Sequence, residues 1–361
     1  MNRAIVIMAG GTGGHIYPAL AVAEELRRRQ VVVHWLGTRR GLESRLVPQA
    51  GLKLHTVAVT GLRRHGLRAW LLAPPALILA LLQSLWHLLV LRPAAVLGMG
   101  GFASGPGGVA AWLLRIPLLL HEQNALPGTT NRLLAPLAWR LLEAFPGAFA
   151  PRPAICTGNP VREAIARLPA RPAGASPEEQ TVRLLVVGGS QGAAVLNRVV
   201  PAALALLAGQ PNPPRLEVWH QTGAGRDTET AKRYQQHGVA ARVEPYLHAI
   251  EQAYAWADLV ICRAGAMTIA ELAVAGLPAL LVPYPFAVDD HQTANAEYLA
   301  KRGAALLVPE RDLTPPHLAE LVRGLIDQPR RRAEMARQAR ALGRPDAALR
   351  VAELCLEAAH G

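Results

Sequence analysis

Two short apolar runs, each ending in a cluster of glycines, constrain this chain more than any other feature. Ala4-Ile5-Val6-Ile7-Met8-Ala9 leads into Gly10-Gly11-Thr12-Gly13-Gly14-His15, and Leu184-Leu185-Val186-Val187 leads into Gly188-Gly189-Ser190-Gln191-Gly192. A buried strand, a glycine turn and then a helix present free backbone amides and a helix-dipole terminus, a geometry suited to phosphate. One such junction is a weak signal. Two of them, half the chain apart, predict two Rossmann-like domains facing across a cleft, with a nucleotide-bearing substrate between them. The 361 residues suffice for two separate cores.

Between the glycine turns, apolar runs alternate with helical patterns, as in a parallel doubly wound sheet. Strands are expected over Ala4–Met8, Val31–Leu36, Leu54–Val59, Ala95–Met99, Pro117–His121 and Ala154–Cys156. The second half repeats the logic at Val182–Val187, Arg215–Gln221, Val243–Tyr246, Leu259–Cys262, Ala279–Val282 and Ala305–Val308. The turn cluster Thr157-Gly158-Asn159-Pro160 is the expected hinge, and Pro169–Gln180 is an expected exposed loop. The expected domains are 1–157, joined by a C-terminal helix over about 341–361, and 158–340.

Charge is unevenly spread. Residues 1–158 hold sixteen Lys and Arg against five acids, a net of +11, whereas the remainder holds twenty-two against twenty-one, a net of +1. A basic half points to an anionic partner: nucleic acid, phospholipid or a pyrophosphate-bearing substrate. The chain lacks any nucleic-acid recognition motif or basic run interleaved with aromatics, so nucleic acid is not expected. Cys156, Cys262 and Cys355 lack metal-binding spacing and read as reduced thiols of a cytosolic protein. Met1-Asn2-Arg3 runs straight into the first apolar run, so no signal peptide is expected.

Ala69–Leu91 carries no charged residue and is long enough to cross a bilayer. Pro74-Pro75, Gln83, Ser84 and His87, and its place between Rossmann-type units, argue against a span. It is expected to lie at a membrane surface, with most of its leucines covering the sheet and part of one face exposed.

The strand Val31–Leu36 ends in Gly37-Thr38-Arg39-Arg40, not in the acid that binds a dinucleotide ribose, which argues against NAD. His15 reads either as a helix-cap histidine or as a general base open to the cleft. The second glycine-rich junction, Gly98-Met99-Gly100-Gly101-Phe102-Ala103-Ser104-Gly105-Pro106-Gly107-Gly108, permits close approach of an anionic group such as a diphosphate. His121-Glu122-Gln123-Asn124 places four polar side chains at a strand's carboxyl end. A helix from Ala266 offers its first amides to phosphate, and Glu271, one turn on, could accept from two ribose hydroxyls. Gln292 and Asn295 supply amides suited to sugar hydroxyls. These features fit a nucleoside diphosphate-sugar better than a dinucleotide.

The ordered set GGTGGH (10–15), GMGGFASGPGG (98–108), HEQN (121–124), GNPVR (158–162) and GGSQGA (188–193), with 263–271 and 292–295, closely resembles the MurG-type family of bacterial N-acetylglucosaminyltransferases. The resemblance runs nearly end to end. It implies a GT-B fold and inverting transfer of N-acetylglucosamine from UDP-N-acetylglucosamine to the 4-hydroxyl of undecaprenyl-pyrophosphoryl-N-acetylmuramyl-pentapeptide, in peptidoglycan synthesis. It further implies a peripheral enzyme on the cytoplasmic face of the inner membrane, with an anionic membrane surface and cell-wall synthesis proteins as partners. By the same resemblance Thr12, Gly13, Gly14 and Asn124 meet the donor, Arg162 and Ser190 the diphosphate or nucleotide, and Leu247 uracil through its backbone. Ala266, Met267, Thr268, Ile269, Ala270 and Glu271 form the diphosphate-ribose segment, and Gln292 and Asn295 contact the sugar. His15 matches the family's base, with Glu122 as the other candidate. Phe102 stands where relatives often carry Tyr, so no hydroxyl role is expected there. The chain has no Asp-x-Asp, so neither a bound metal nor another cofactor is expected. A transferase with another lipid acceptor, a UDP-sugar epimerase and a nucleotide-sensing membrane scaffold remain as rivals.

Overall fold

A computed structural model describes residues 4–59, 67–169, 181–189 and 192–360, with the backbone alone for 67–73 and 288. The loop expected over Pro169–Gln180 therefore lies outside the described residues except at Pro169. The chain divides into two compact units, Met1–Glu163 with Arg344–Gly361, and Ala164–Gly343.

Unit one is built on seven parallel strands: Ile5–Met8 (β1), Val33–Gly37 (β2), Lys53–Thr56 (β3), Ala95–Gly98 (β4), Leu118–Glu122 (β5), Arg140–Glu143 (β6) and Ile155–Cys156 (β7). Their order is β3-β2-β1-β4-β5-β6-β7. Both faces are covered, which is why the central strands are apolar at every position. Ile5 and Ile7 pack with Ile16, Val22 and Leu26 of the helix Gly13–Arg28, and with Val351, Leu354 and Cys355 of the C-terminal helix. Val6 and Met8 face the other way, into a core with Leu120, Ala110 and Leu88.

The strand Arg140–Glu143 was not among those expected, since Arg140-Leu141-Leu142-Glu143 suits a helix as well as a strand. Its pairing with β5 decides for the strand: Leu141 enters one core and Leu142 the opposite one, the alternation of a strand.

The apolar segment forms a helix, Leu67–Leu91, that crosses over from β3 to β4 of one sheet. Its stretch Pro74–Leu91 is long and apolar enough to span a bilayer by length and composition. It packs on the helix Ser104–Leu113, burying Ala80, Ser84 and Leu88. The expectation that most of its leucines cover the sheet is corrected. Ile78, Leu82, Trp86 and Val90, spaced by four, are 59%, 58%, 67% and 61% exposed. Leu77, Leu79 and Leu89 are exposed beside them, as are Trp112 and Leu113 of the neighbouring helix.

Unit two has six parallel strands: Val182–Val187 (β8), Leu216–Gln221 (β9), Arg242–Glu244 (β10), Leu259–Cys262 (β11), Ala279–Leu281 (β12) and Ala305–Leu307 (β13). They are ordered β10-β9-β8-β11-β12-β13, the same winding. In each unit the strand order reverses beside the first strand, so loops after β1 and β4, and after β8 and β11, become neighbours. Ligands of open parallel sheets bind at such a switch point, outside the strands' carboxyl ends.

Candidate active site

In unit one the switch point brings the two glycine clusters together. Ser104 Oγ donates to Met8 O (3.0 Å) and to Gly100 O (2.8 Å), tying the end of β1 to the loop after β4. Gly100 and Gly101 have φ of +91° and +86°. A Cβ on Gly101 would lie 2.2 Å from Gly10 O, and one on Gly100 would lie 2.9 Å from the His15 ring. Only glycine allows this approach. Phe102 is exposed on the same loop.

The Gly10–Gly14 turn is braced from below by Glu43, a fully buried carboxylate. It accepts from Gly11 N (3.1 Å), Thr38 N (3.0 Å) and Thr38 Oγ1 (2.6 Å). Trp35 Nε1 donates to Ala9 O at 2.9 Å. One amide of the turn is thus held by the protein's own anion, while Thr12, Gly13 and Gly14 lie at the helix start beyond it.

His15 Nδ1 lies 2.8 Å from Gln123 Oε1. Gln123 is buried, and its Nε2 bonds both His121 Nδ1 and His121 O at 3.1 Å. His121 Nε2 reaches Gly158 O at 3.0 Å. Burial pushes the His121 imidazole down to about 4, against the Gly158 carbonyl and the Glu122 charge, so the ring is neutral at pH 7.

Glu122, the other candidate base, is engaged at both oxygens. Its Oε1 accepts from Asn124 N (3.0 Å) and Asn124 Nδ2 (3.2 Å), and its Oε2 from Gly128 N (3.0 Å) and Asn131 Nδ2 (2.9 Å). A buried carboxylate with both oxygens engaged fixes a loop. These bonds hold Asn124 and the loop to Asn131 in place. Arg162 stacks over Tyr17 of the Gly13–Arg28 helix, its guanidinium 5.3 Å from the ring centroid.

In unit two, Ser190 lies outside the described residues. The adjoining turn is braced by Gln221, at the end of β9, which accepts from Gly189 N (3.1 Å) and donates to Gly189 O (3.1 Å) and Pro245 O (3.0 Å). This amide joins the glycine turn to the loop that carries Leu247, a buried residue. The helix Ala266–Ala275 starts directly after β11, with Gly265 as its cap. Ala266, Met267, Thr268, Ile269 and Ala270 form the start of this helix, where Ile269 N donates to Gly265 O at 3.0 Å. Glu271 is buried, and Tyr254 OH donates to its Oε2 at 3.0 Å. Gln292 Oε1 accepts from Ala264 N (3.2 Å) and Tyr284 N (2.9 Å), and Asn295 Nδ2 donates to Ala264 O (3.3 Å). The 263–271 and 292–295 segments are therefore one assembly. Among the described residues the Gln292 NH2 group makes no hydrogen bond, so it can offer its donors to a ligand.

The sequence reading gave no role to Glu43, Gln221 or Tyr254, and no role of its own to Gln123 within the HEQN run. Three of them carry a visible mark, a polar residue closing or directly following an apolar strand, or lying just beyond the next turn. Among the described residues no group of three His, Cys, Asp or Glu side chains is placed to hold a metal ion.

Two family models match this chain: the glycosyltransferase family 28 N-terminal domain over residues 5–142 and its C-terminal domain over residues 183–351. A UDP-N-acetylglucosamine--N-acetylmuramyl-(pentapeptide) pyrophosphoryl-undecaprenol N-acetylglucosamine transferase from Nitrosococcus oceani is 56% identical over 358 residues, 99% of each chain. The protein of the same name from Methylococcus capsulatus is 53% identical over 364 residues, again 99% of each. The crystal structure of Acinetobacter baumannii MurG is similar with a TM-score of 0.84 at 36% identity, covering 98% of this chain and 99% of that one. A UDP-GlcNAc 2-epimerase from Neisseria meningitidis, at 14% identity and a TM-score of 0.68, shares the fold.

Proposed function

The chain belongs to glycosyltransferase family 28, and from that premise we propose that it transfers N-acetylglucosamine from UDP-N-acetylglucosamine to N-acetylmuramyl-(pentapeptide) pyrophosphoryl-undecaprenol, making lipid II from lipid I. The observation that carries this reading is the match of 56% identity across 99% of both chains, which spans both units and every motif.

In this reading unit two binds the donor. First-turn amides of the Ala266–Ala275 helix meet the diphosphate, Glu271 the ribose, and the Leu247 backbone the uracil. Ser190 and Arg162 add nucleotide or diphosphate contacts, and Asn124, Gln292 and Asn295 hold the sugar. The acceptor's 4-hydroxyl attacks C1 of N-acetylglucosamine as the bond from C1 to the diphosphate oxygen breaks, and the configuration inverts. His15 takes the hydroxyl proton. UDP departs with its growing charge met by fixed amides and Arg162, without reorganisation at the moment of reaction. No metal or other cofactor takes part in this scheme.

The acceptor's long isoprenoid tail stays in a bilayer, so unit one must meet a membrane, which we place at the cytoplasmic face. The apolar stripe of Ile78, Leu82, Trp86 and Val90, with Trp112 and Leu113, supports this, since exposed patches of this kind mark interaction surfaces. Charge supports it too. Glu43, Glu122 and Glu143, three of the five acids in residues 1–158, are buried, so they do little to offset the surface arginines. Arg92 and Arg115 flank the stripe; Arg63 and Arg64, and the side chain of Arg68, lie outside the described residues.

The test is radiolabel transfer from UDP-N-acetylglucosamine to purified lipid I in detergent. Lipid-linked disaccharide product is expected. Transfer to diacylglycerol instead, or conversion of the donor with no acceptor present, would replace this reading with another transferase or an epimerase.

A further inference from the structure

The side chain of Gln123 stands between two imidazoles, and its two ends differ in kind: one donates and the other accepts. That asymmetry has a consequence for His15. The chain of bonds begins at Gly158 O, a backbone carbonyl that can only accept. His121 Nε2, 3.0 Å away, must therefore carry a hydrogen. Since burial keeps this ring neutral, its Nδ1 is a bare acceptor. The amide group of Gln123 facing Nδ1 must then be its NH2. The same group lies 3.1 Å from His121 O, a second pure acceptor, which fixes the amide's orientation independently. Gln123 Oε1 is left to face His15 Nδ1 at 2.8 Å, and an amide oxygen can only accept. His15 Nδ1 must carry the hydrogen.

We infer that Gln123 and His121 are positioning residues that lock neutral His15 in the tautomer with hydrogen on Nδ1 and a bare lone pair on Nε2. Gly100 closes over the same ring, so its plane is held as well as its protonation. Among the described residues Nε2 has no hydrogen-bond partner, leaving it for a hydroxyl proton. When Nε2 takes that proton the ring becomes imidazolium, and the Gln123 oxygen stabilises the charge through the Nδ1–H bond. The backbone carbonyl of Gly158 serves as the fixed reference, as a carboxylate does in a catalytic triad. This inference rests on His15 being the base, but its core claim concerns the tautomer and can be measured apart from turnover.

The experiment uses the full chain labelled with ¹⁵N-histidine, with the His15 signals assigned by their loss in His15→Ala. Nitrogen spectra at neutral pH should give a protonated Nδ1 and an unprotonated Nε2 in the unaltered protein. In Gln123→Met, similar in shape but without the relay, the two tautomers should mix. Its kcat should fall about 10- to 100-fold, part of the 10²–10⁴ that a positioned base contributes, with the donor KM within about twofold. A bare Nδ1 in the unaltered protein overturns the inference, and that spectrum depends on no variant folding. An unchanged His15 tautomer in folded Gln123→Met overturns it too. If the tautomer is as stated but His15→Ala keeps its kcat, the relay stands and the assignment of the base falls.

Discussion

Replacing Gly101 by alanine tests whether the two glycine clusters of unit one really meet. Its φ of +86° strains any other residue, at about 1–2 kcal/mol. The new Cβ would also lie 2.2 Å from Gly10 O and 2.9 and 3.0 Å from Gly10 C and N. All three are backbone atoms, so no side-chain rotation relieves the collision and the two loops must separate. Overpacking of this kind costs about 1–3 kcal/mol, giving roughly 2–5 kcal/mol in all. Gly147→Ala is the control, because Gly147 has a φ of +87° with nothing within 4 Å of the added atom. It should show the strain alone. Gly100→Ala is the third member: its Cβ meets the His15 ring, which can swing aside and break its bond to Gln123. Stability should then resemble the control while transfer activity falls. Urea unfolding followed by circular dichroism, beside initial rates of sugar transfer, reads all three. A Gly101→Ala protein no less stable than Gly147→Ala would refute the close approach, and full activity in Gly100→Ala would refute the coupling to His15.

Glu271→Ala should lower kcat/KM for the donor by about 2–4 kcal/mol, the loss of charged hydrogen bonds to ribose in a closed site, and unchanged kinetics would remove Glu271 from that site. The protein should bind anionic vesicles and release at high salt, each basic residue at the surface contributing about 1 kcal/mol; Trp86→Ser should weaken this binding without lowering stability. Equal binding to neutral and anionic vesicles would rule out the electrostatic part. His121 and His220 are pushed down by burial, to about 4 and about 3, below the 6.5 of an unfolded histidine. A depressed histidine contributes stability that is complete above pH 6.5 and is lost as pH falls toward its folded value. Each should add a slope of up to about 1.4 kcal/mol per pH unit between pH 6.5 and 4, and a flat urea midpoint over that range would contradict it.

Short continuous apolar runs were enough to find nearly every strand of both sheets, because a parallel strand buried on both faces has few alternatives. The glycine and amide motifs marked the candidate site for the same reason: a strand end is where backbone amides are free. Local pattern failed where two elements share a composition. Arg140-Leu141-Leu142-Glu143 suits a helix as well as a strand, and only pairing with β5 decides between them. The apolar helix Leu67–Leu91 was expected to cover the sheet with most of its leucines and expose part of one face; Leu88 is buried and Leu81, Leu85 and Leu91 pack on the core, while Leu77, Leu79, Leu82 and Leu89 are exposed, a division that composition alone does not show. The roles of Glu122 and Gln123 were equally hidden. Adjacent polar residues in one motif look alike in sequence, but alternation along the strand turns Glu122 toward the Asn124–Asn131 loop and leaves Gln123 facing His15, 108 positions away. Which side chain shares a hydrogen with which is settled only when distant strand ends are brought together.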